Sequence, residues 1–190
     1  MKPHYVLLAA LAATSLFALA KDSSEKLPAP WLLAGETPKN YQIGIDYSES
    51  SSGKGAKFLR HAGGDDKGWA TLMQTISPEN YLGQRVRFRA RVKARDVGDW
   101  AGLWMRIDRP SEFGAAFYNS QDQPIKGNAD WHWRSVVLDV APDAKALSFG
   151  VIENGKGQVW IDELTLEVVG KDVPLNVQRR KVPLSAKPEL

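Results

Sequence analysis

The chain has 190 residues, of which 43% are hydrophobic and 25% charged, and this composition is typical of a globular protein with one sizeable core. It contains no cysteine, which excludes disulfide bonds and a lipidated cysteine. The formal net charge is +3, and with Lys2 set aside 24 basic residues face 22 acidic ones. This near balance argues against a nucleic-acid partner.

The first 20 residues have the pattern of a secretory signal peptide. Lys2 and His4 precede an apolar run over residues 5–17, and Ala18-Leu19-Ala20 fits a small-x-small cleavage site. The run is too short for a stable membrane span, although an uncleaved N-terminal anchor is the alternative. We therefore predict export to a periplasm or the extracellular space, with no membrane span after cleavage. Residues 21–30 are polar and Pro-rich, which predicts a flexible lead-in.

Short strand patterns separated by turn signals fill the chain from residue 31 to residue 170. The predicted strands cover residues 42–47, 56–61, 69–76, 85–95, 100–108, 113–118, 131–140, 146–152 and 158–169. Turn signals recur every 8–12 residues and no long helix is predicted, apart from one turn at 77–81. This spacing predicts an all-β fold, a two-sheet antiparallel jelly-roll β-sandwich. Residues 171–190 are polar and Pro-containing, and we predict a loose tail there.

The strand predicted from Arg85 to Arg95 alternates apolar and cationic residues without a break. Alternation with a period of two places Val86, Phe88 and the other apolar residues on one face and the cations on the other. The cationic row fits a solvated face paired with acidic neighbours such as Glu163 and Glu167. The alternative is an anion-binding face.

Three segments resemble a bacterial β-sandwich domain that occurs alone or appended to predicted regulators and peptidases. They are Trp31-Leu-Leu-Ala-Gly35 with Tyr41-Gln-Ile-Gly-Ile-Asp46, Trp100-Ala-Gly-Leu-Trp-Met-Arg-Ile-Asp108, and Pro124-Ile-Lys-Gly127 with Asp130-Trp131. The ending Gly157-Gln-Val-Trp-Ile-Asp-Glu-Leu-Thr-Leu166 resembles the last strand of galactose-binding-like jelly rolls, the fold of many carbohydrate-binding modules. The resemblance spans about residues 30–170. It implies a fold more strongly than a function.

The same resemblance implies a possible structural calcium ion. In carbohydrate-binding jelly rolls an aspartate of the last strand often joins such a site, and Asp162 matches that position. Glu36 and Asp46 are the candidate partners. The alternative is that Asp162 accepts backbone hydrogen bonds or caps a turn. No other cofactor is expected.

A catalytic set is hard to assemble from this sequence. Outside the leader only His61 and His132 are present, and neither a nucleophile elbow nor a His-Glu-x-x-His motif occurs. A glycosidase would need two carboxyl groups across a cleft, for which Glu153, Asp162 and Glu163 are conceivable. We predict that the chain is not an enzyme, and a carboxylate-pair hydrolase is the least favoured alternative.

Binding is better supported, because seven tryptophans occur in one small domain. Trp104, Arg106 and Asp108 project to one face of one strand, and Trp100 begins that strand. An indole can stack on the C–H face of a sugar ring, while Arg and Asp can bond its hydroxyl groups. Further polar groups for the rim come from Tyr118, Asn119 and Gln121.

The leading functional hypothesis is therefore a non-catalytic exported module that binds carbohydrate or cell-envelope glycan. The alternative interpretation of the tryptophans is that they plug the ends of the sandwich. The chain would then be a periplasmic structural or protein-interaction module, whose arginine face could dock an acidic protein partner.

Overall fold

The computed structural model describes residues 27–177. The predicted signal peptide, most of the predicted lead-in and residues 178–190 of the predicted tail lie outside the described residues. Within the described range the protein is built from β-strands and two short 3₁₀ turns, and no α-helix occurs there. Neither turn is long and apolar enough to cross a membrane. The all-β prediction is confirmed.

Nine strands make up the domain. They are β1 Leu32–Gly35, β2 Tyr41–Asp46, β3 Ala56–His61, β4 Trp69–Ile76, β5 Arg85–Arg109, β6 Glu112–Tyr118, β7 Ile125–Asp139, β8 Ala146–Asn154 and β9 Gln158–Val169. The 3₁₀ turns are Pro38–Asn40 and Glu79–Tyr81. The predicted bounds of β3, β4 and β9 agree with the structure, because glycine- and aspartate-rich turns flank these strands.

All strands pair antiparallel, and β5 runs through both layers of the sandwich. The C-terminal part of β5 lies between β6 and β8, and β4 and β1 follow β8. We call these five strands sheet I. The N-terminal part of β5 lies between β7 and β9, and β3 and β2 follow β9. We call this second layer sheet II.

One continuous strand, β5, replaces the two strands predicted at 85–95 and 100–108. The turn predicted at 96–99 is wrong, because the chain does not reverse there. Instead the pairing of β5 with β7 shifts register around Val97, and Asp96 has a φ of 53°. The Gly98 N–H donates to the Lys156 carbonyl at 2.7 Å. The polar residues thus form an irregularity that carries the strand from one sheet into the other.

The loop expected between residues 119 and 130 is shorter than predicted. The strand β7 already begins at Ile125, which is buried and lies opposite Ala101 of β5. The extra residues pair with the irregular segment of β5, a long-range contact that the polar sequence did not indicate.

The hydrophobic core lies between the two sheets. Val86, Phe88, Ala90 and Val92 of β5 are fully buried, which confirms the predicted alternation. Further along the same strand, Leu103 and its alternate neighbours continue the inner face of sheet I. The outward positions of the same strands are therefore fixed as well.

The described part of the predicted tail makes hydrogen bonds with sheet II. Arg85 Nη1 donates to the carbonyl oxygens of Lys171 and Val173, at 2.8 and 2.6 Å. Asn176 exchanges hydrogen bonds with the backbone of Val137. Residues 171–177 therefore lie along the ends of β5 and β7.

Candidate ligand-binding site

The outer face of sheet I, which points away from the core, carries an aromatic floor. Cross-strand register places Trp100 of β5 opposite Asn154 of β8, which in turn lies opposite Trp69 of β4. Four residues further along β5, on the same face, Trp104 lies opposite Gly150, which lies opposite Met73. Side chains of three strands distant in sequence are thus brought together by register alone.

Packing and one hydrogen-bond chain hold the indoles of this floor in place. Trp104 Nε1 donates to Thr71 Oγ1 at 2.7 Å, and Thr71 Oγ1 donates to the Val151 carbonyl at 2.9 Å. Trp100 packs with Trp104 and Ile152, and its buried Nε1 has no acceptor among residues 27–177. The floor is therefore rigid.

A cleft of about 680 Å³ opens above this floor. We call it the sheet I cleft. Its floor consists of Trp69, Thr71, Met73, Trp100, Trp104 and Ile152, and its rim includes Arg106, Phe113, Phe117, Asn119, Gln121 and Asn154. The lining is mainly apolar with a few polar groups, which is the usual character of a small-ligand site.

The loop after β6 forms one side of the rim. Ser120 has a φ of 58° and its Oγ donates to the Leu103 carbonyl at 2.6 Å, which ties the loop to β5. A Cβ on Gly102 would lie 2.9 Å from Ser120 Cβ, so glycine is needed for this close approach. The result is that Asn119 and Gln121 stand at the cleft.

An ion pair organises a second part of the rim, beside the hairpin between β5 and β6. The Arg106 guanidinium donates to both carboxylate oxygens of Asp108, with its shortest contact at 2.9 Å. Asp108 also accepts the Gly114 N–H at 2.7 Å. The Arg106 Cζ lies 3.9 Å from the centre of the Phe113 ring. The hairpin between β5 and β6 is thereby fixed against the cleft.

Five of the seven residues predicted to bind ligand line the sheet I cleft. They are Trp100, Trp104, Arg106, Asn119 and Gln121. Trp100 and Trp104 lie on the outer face as predicted, but each is only 6% exposed. The expectation that they offer open stacking surfaces is thus corrected, since neighbouring strands cover most of both rings.

The other two predicted residues lie elsewhere. Asp108 does not line the cleft, and its carboxylate accepts hydrogen bonds from Arg106 and from the Gly114 N–H. Tyr118 points into the core, because it follows the outward Phe117 in β6, and its hydroxyl donates to Asp122 at 2.7 Å. Burial, with the nearby Asp122 carboxylate, raises the pKa of Tyr118 to about 12. Tyr118 is a structural residue.

Sequence reasoning missed several residues of the cleft. Phe113 and Phe117 of β6 stand at its rim, and Trp69, Met73 and Asn154 come from β4 and β8. The parity of β6 could have indicated Phe117, because it lies two positions before the loop residue Asn119. Nothing local indicated the β4 and β8 residues, whose place depends on long-range strand register.

The surroundings of Asp162 do not fit a calcium ion. Its carboxylate accepts the N–H groups of Ser51 and Ser52 at 2.8 Å and the hydroxyl of Ser50 at 3.0 Å. Further bonds come from Ser52 Oγ and the Glu163 N–H. Burial raises the pKa of Asp162, but these bonds outweigh that effect and lower it. Donor hydrogens point to where a cation would sit, and residues 27–177 hold no cluster of three metal-binding side chains.

None of the carboxylates considered for hydrolysis lines the sheet I cleft. Glu153 points into the core and is fully buried. Asp162 is engaged with the loop at Ser50–Ser52, and Glu163 accepts the Ser51 hydroxyl at 2.7 Å. Among the described residues that line the sheet I cleft, none is an aspartate or glutamate.

The cationic row of β5 lies on the outer face of sheet II, away from the cleft. Within residues 27–177, four of its six cations pair with carboxylates: Arg85 with Asp139, Arg87 with Glu167, and both Lys93 and Arg95 with Glu49. Arg89 stacks on the Trp133 ring at 3.7 Å, and Arg91 donates to the Trp131 carbonyl. The expected partner Glu167 is found, whereas Glu163 is not one. This geometry favours the solvated-face interpretation.

No protein-family profile matches the chain. The chain is 36% identical over 151 residues to a Bacillus subtilis (strain 168) protein named uncharacterized HTH-type transcriptional regulator YbfP. The match covers 79% of this chain and 51% of that protein, so the chain spans about half the length of this relative. The described residues contain no α-helix and therefore no helix-turn-helix.

Several of the solved structures that share this fold are carbohydrate-binding modules. The CBM22-1 xylan-binding domain of Paenibacillus barcinonensis Xyn10C has a TM-score of 0.54 and 14% identity, covering 76% of this chain and 89% of that one. The family 22 module at the C-terminal side of Clostridium thermocellum Xyn10B has a TM-score of 0.53 and 15% identity, covering 77% and 92%. The chain thus shares the β-sandwich fold of these modules.

Proposed function

We propose that this chain is a non-catalytic, exported binding module whose ligand is a carbohydrate or a cell-envelope glycan. The observation that carries the proposal is the sheet I cleft, with its rigid aromatic floor and its amide-bearing rim. The fold shared with carbohydrate-binding modules supports it.

The chemistry of the rim suits an uncharged ligand rich in hydroxyl groups. Asn119, Gln121 and Asn154 each carry a side-chain amide, which contains both donors and an acceptor, as a sugar hydroxyl requires. The charge of Arg106 is offset by Asp108. The accessible apolar surface of the cleft, which includes the rings of Phe113 and Phe117, can take up the C–H faces of pyranose rings.

Titration of intrinsic tryptophan fluorescence with a panel of soluble neutral glycans tests this proposal. Since Trp69, Trp100 and Trp104 lie in the cleft, we expect a saturable spectral change with at least one glycan. Asn154→Ala should weaken that binding about tenfold through loss of a hydrogen bond. Trp133→Ala, on sheet II, is the matched control and should bind normally. A flat response from folded protein would contradict the proposal.

We also propose that the protein works in a periplasm or outside the cell. The support is the sequence of residues 1–20, with Lys2 before an apolar run and a small-x-small site. Cell fractionation with N-terminal sequencing of the mature protein should find it exported and beginning after Ala20. Retention of the full-length chain in the cytoplasm would reject this part of the proposal.

A further inference from the structure

The open aromatic surface of the sheet I cleft belongs to β6 rather than to the tryptophan floor. Phe113 is 77% exposed and Phe117 is 41% exposed, against 6% for Trp100 and for Trp104. A ring can stack on a ligand only through a face that the ligand can reach. Trp69, the third tryptophan of the floor, is half-buried. The most accessible stacking surfaces are therefore the two phenylalanines, which both line the cleft.

Phe113 is held in position although it is exposed. The Arg106 guanidinium lies 3.9 Å from the centre of its ring, and Asp108 fixes that guanidinium with two hydrogen bonds. Asp108 also binds the N–H of Gly114, the next residue along the chain. A side chain ordered before binding loses less conformational entropy when the ligand arrives. Arg106 and Asp108 are thus positioning residues for Phe113.

Phe117 joins this exposed edge to the floor. Its ring centre lies 6.5 Å from that of Trp104, with 51° between the planes. Arg106 and Phe117 lie opposite each other on β5 and β6. Because the Arg106 guanidinium also lies over the Phe113 ring, Arg106 adjoins both phenylalanines. The cleft thus has a deeper aromatic contact at Phe117 and an outer one at Phe113.

The two exposed rings together indicate the size of the ligand. Gly114, with a φ of 68°, interrupts the extended backbone between Phe113 and Phe117, so the two rings form separate contacts. The cleft that they line, of about 680 Å³, has room for more than one pyranose ring. Building on the proposed function, we propose that the ligand is an oligosaccharide or longer glycan chain that crosses β6 and stacks on both Phe117 and Phe113. Both rings can stack on the C–H face of a sugar ring.

Calorimetric titration of the full chain with xylo-, cello- and manno-oligosaccharides of two to six residues tests this proposal. For the series that binds, we expect the hexasaccharide to bind at least tenfold more tightly than the disaccharide. Phe113→Ala should remove most of this gain, because it should weaken hexasaccharide binding much more than disaccharide binding. Phe117→Ala should weaken both ligands, and Phe113→Tyr should retain wild-type behaviour because its ring still stacks.

Tyr47→Ala is the control, since Tyr47 is an exposed aromatic residue outside the cleft. Its hexasaccharide affinity should equal that of the wild type. Equal wild-type affinity for disaccharide and hexasaccharide, or an unchanged hexasaccharide affinity in Phe113→Ala, would overturn the inference and leave the proposed function standing. A folded wild-type chain that binds none of the three series would overturn both.

Discussion

At the scale of single residues, Glu153 is the most unusual group in the protein. Its side chain is fully buried, and neither carboxyl oxygen has a hydrogen-bond partner among residues 27–177. Burial raises the pKa of Glu153 from its ordinary value of 4.5 to about 8. Together with burial of its own ring, the Glu153 charge raises the pKa of Tyr41 to about 12. Glu153 is therefore protonated in the folded protein at neutral pH.

This shift predicts a pH-dependent stability with a definite sign. Between pH 4.5 and about 8 the folded state binds a proton that the unfolded state has released, so the free energy of unfolding falls as pH rises. Glu153→Gln should remove this slope and be more stable than wild type at pH 9, by at most about 5 kcal/mol. Urea unfolding at pH 5, 7 and 9 measures the difference.

Glu163→Gln is the control for this experiment, because Glu163 is an exposed carboxylate. It should keep the wild-type slope. Identical slopes for wild type and Glu153→Gln would show that Glu153 does not carry the effect.

Some residues of the candidate site were predictable from the sequence. Alternation along β5 correctly assigned Trp100, Trp104 and Arg106 to one face. Their burial could not be predicted, because it depends on Trp69, Met73 and other residues of β4 and β8 that only the register brings near. Tyr118 was wrongly predicted at the rim, because the sequence of β6 did not show which of its residues face the core.

At the scale of elements, the segment from Glu49 to Gly55 is fastened to sheet II through few contacts. Asp162 accepts hydrogen bonds from Ser50, Ser51 and Ser52, and Glu49 pairs with Lys93 and Arg95. Asp162→Ala should release the segment and lower the free energy of unfolding by roughly 3 kcal/mol, since several donors lose a charged acceptor. Hydrogen exchange at the amides of residues 51 and 52 should accelerate.

The same element gives a test of the calcium expectation. Because N–H and O–H donors surround Asp162, adding calcium or a chelator should leave the melting temperature of the wild-type protein unchanged. Asp46→Asn serves as a comparison, since Asp46 accepts a hydrogen bond from Trp160 Nε1 near this segment and was one of the two candidate partners. A calcium-dependent rise in melting temperature that Asp162→Ala abolishes would instead establish a metal site.

Strand boundaries were predictable where turn residues end a strand. They were not predictable where such residues lie within a continuous strand. The strands β3, β4 and β9 have their predicted bounds. The sequence from Asp96 to Asp99 has the composition of a turn, yet the chain continues through it as β5. The two cases differ in whether a partner strand continues beside the polar residues. Here β7 continues beside β5, and the Lys156 carbonyl accepts the Gly98 N–H. The local sequence does not contain that information.

At the scale of the whole molecule, β5 separates two surfaces of different character. Its C-terminal half carries the apolar cleft of sheet I, and its N-terminal half carries the cationic row of sheet II. The two faces belong to different sheets, so substitutions on one should not alter the other. The sequence of the cationic row is typical of an anion-binding surface. In the structure, however, most of its cations already form ion pairs with carboxylates.

This pairing predicts that the protein does not bind nucleic acid, although its relative is named a transcriptional regulator. Non-specific DNA binding requires several cations free to replace counterions, and four of the six cations here are held by carboxylates within the described residues. Fluorescence anisotropy with labelled duplex DNA should show no saturable binding at 50 mM salt. Glu49→Gln with Glu167→Gln, which frees three cations, should create weak binding that disappears at 200 mM salt. Saturable, salt-sensitive binding by the wild type would reject this electrostatic account and assign the row to an anionic partner.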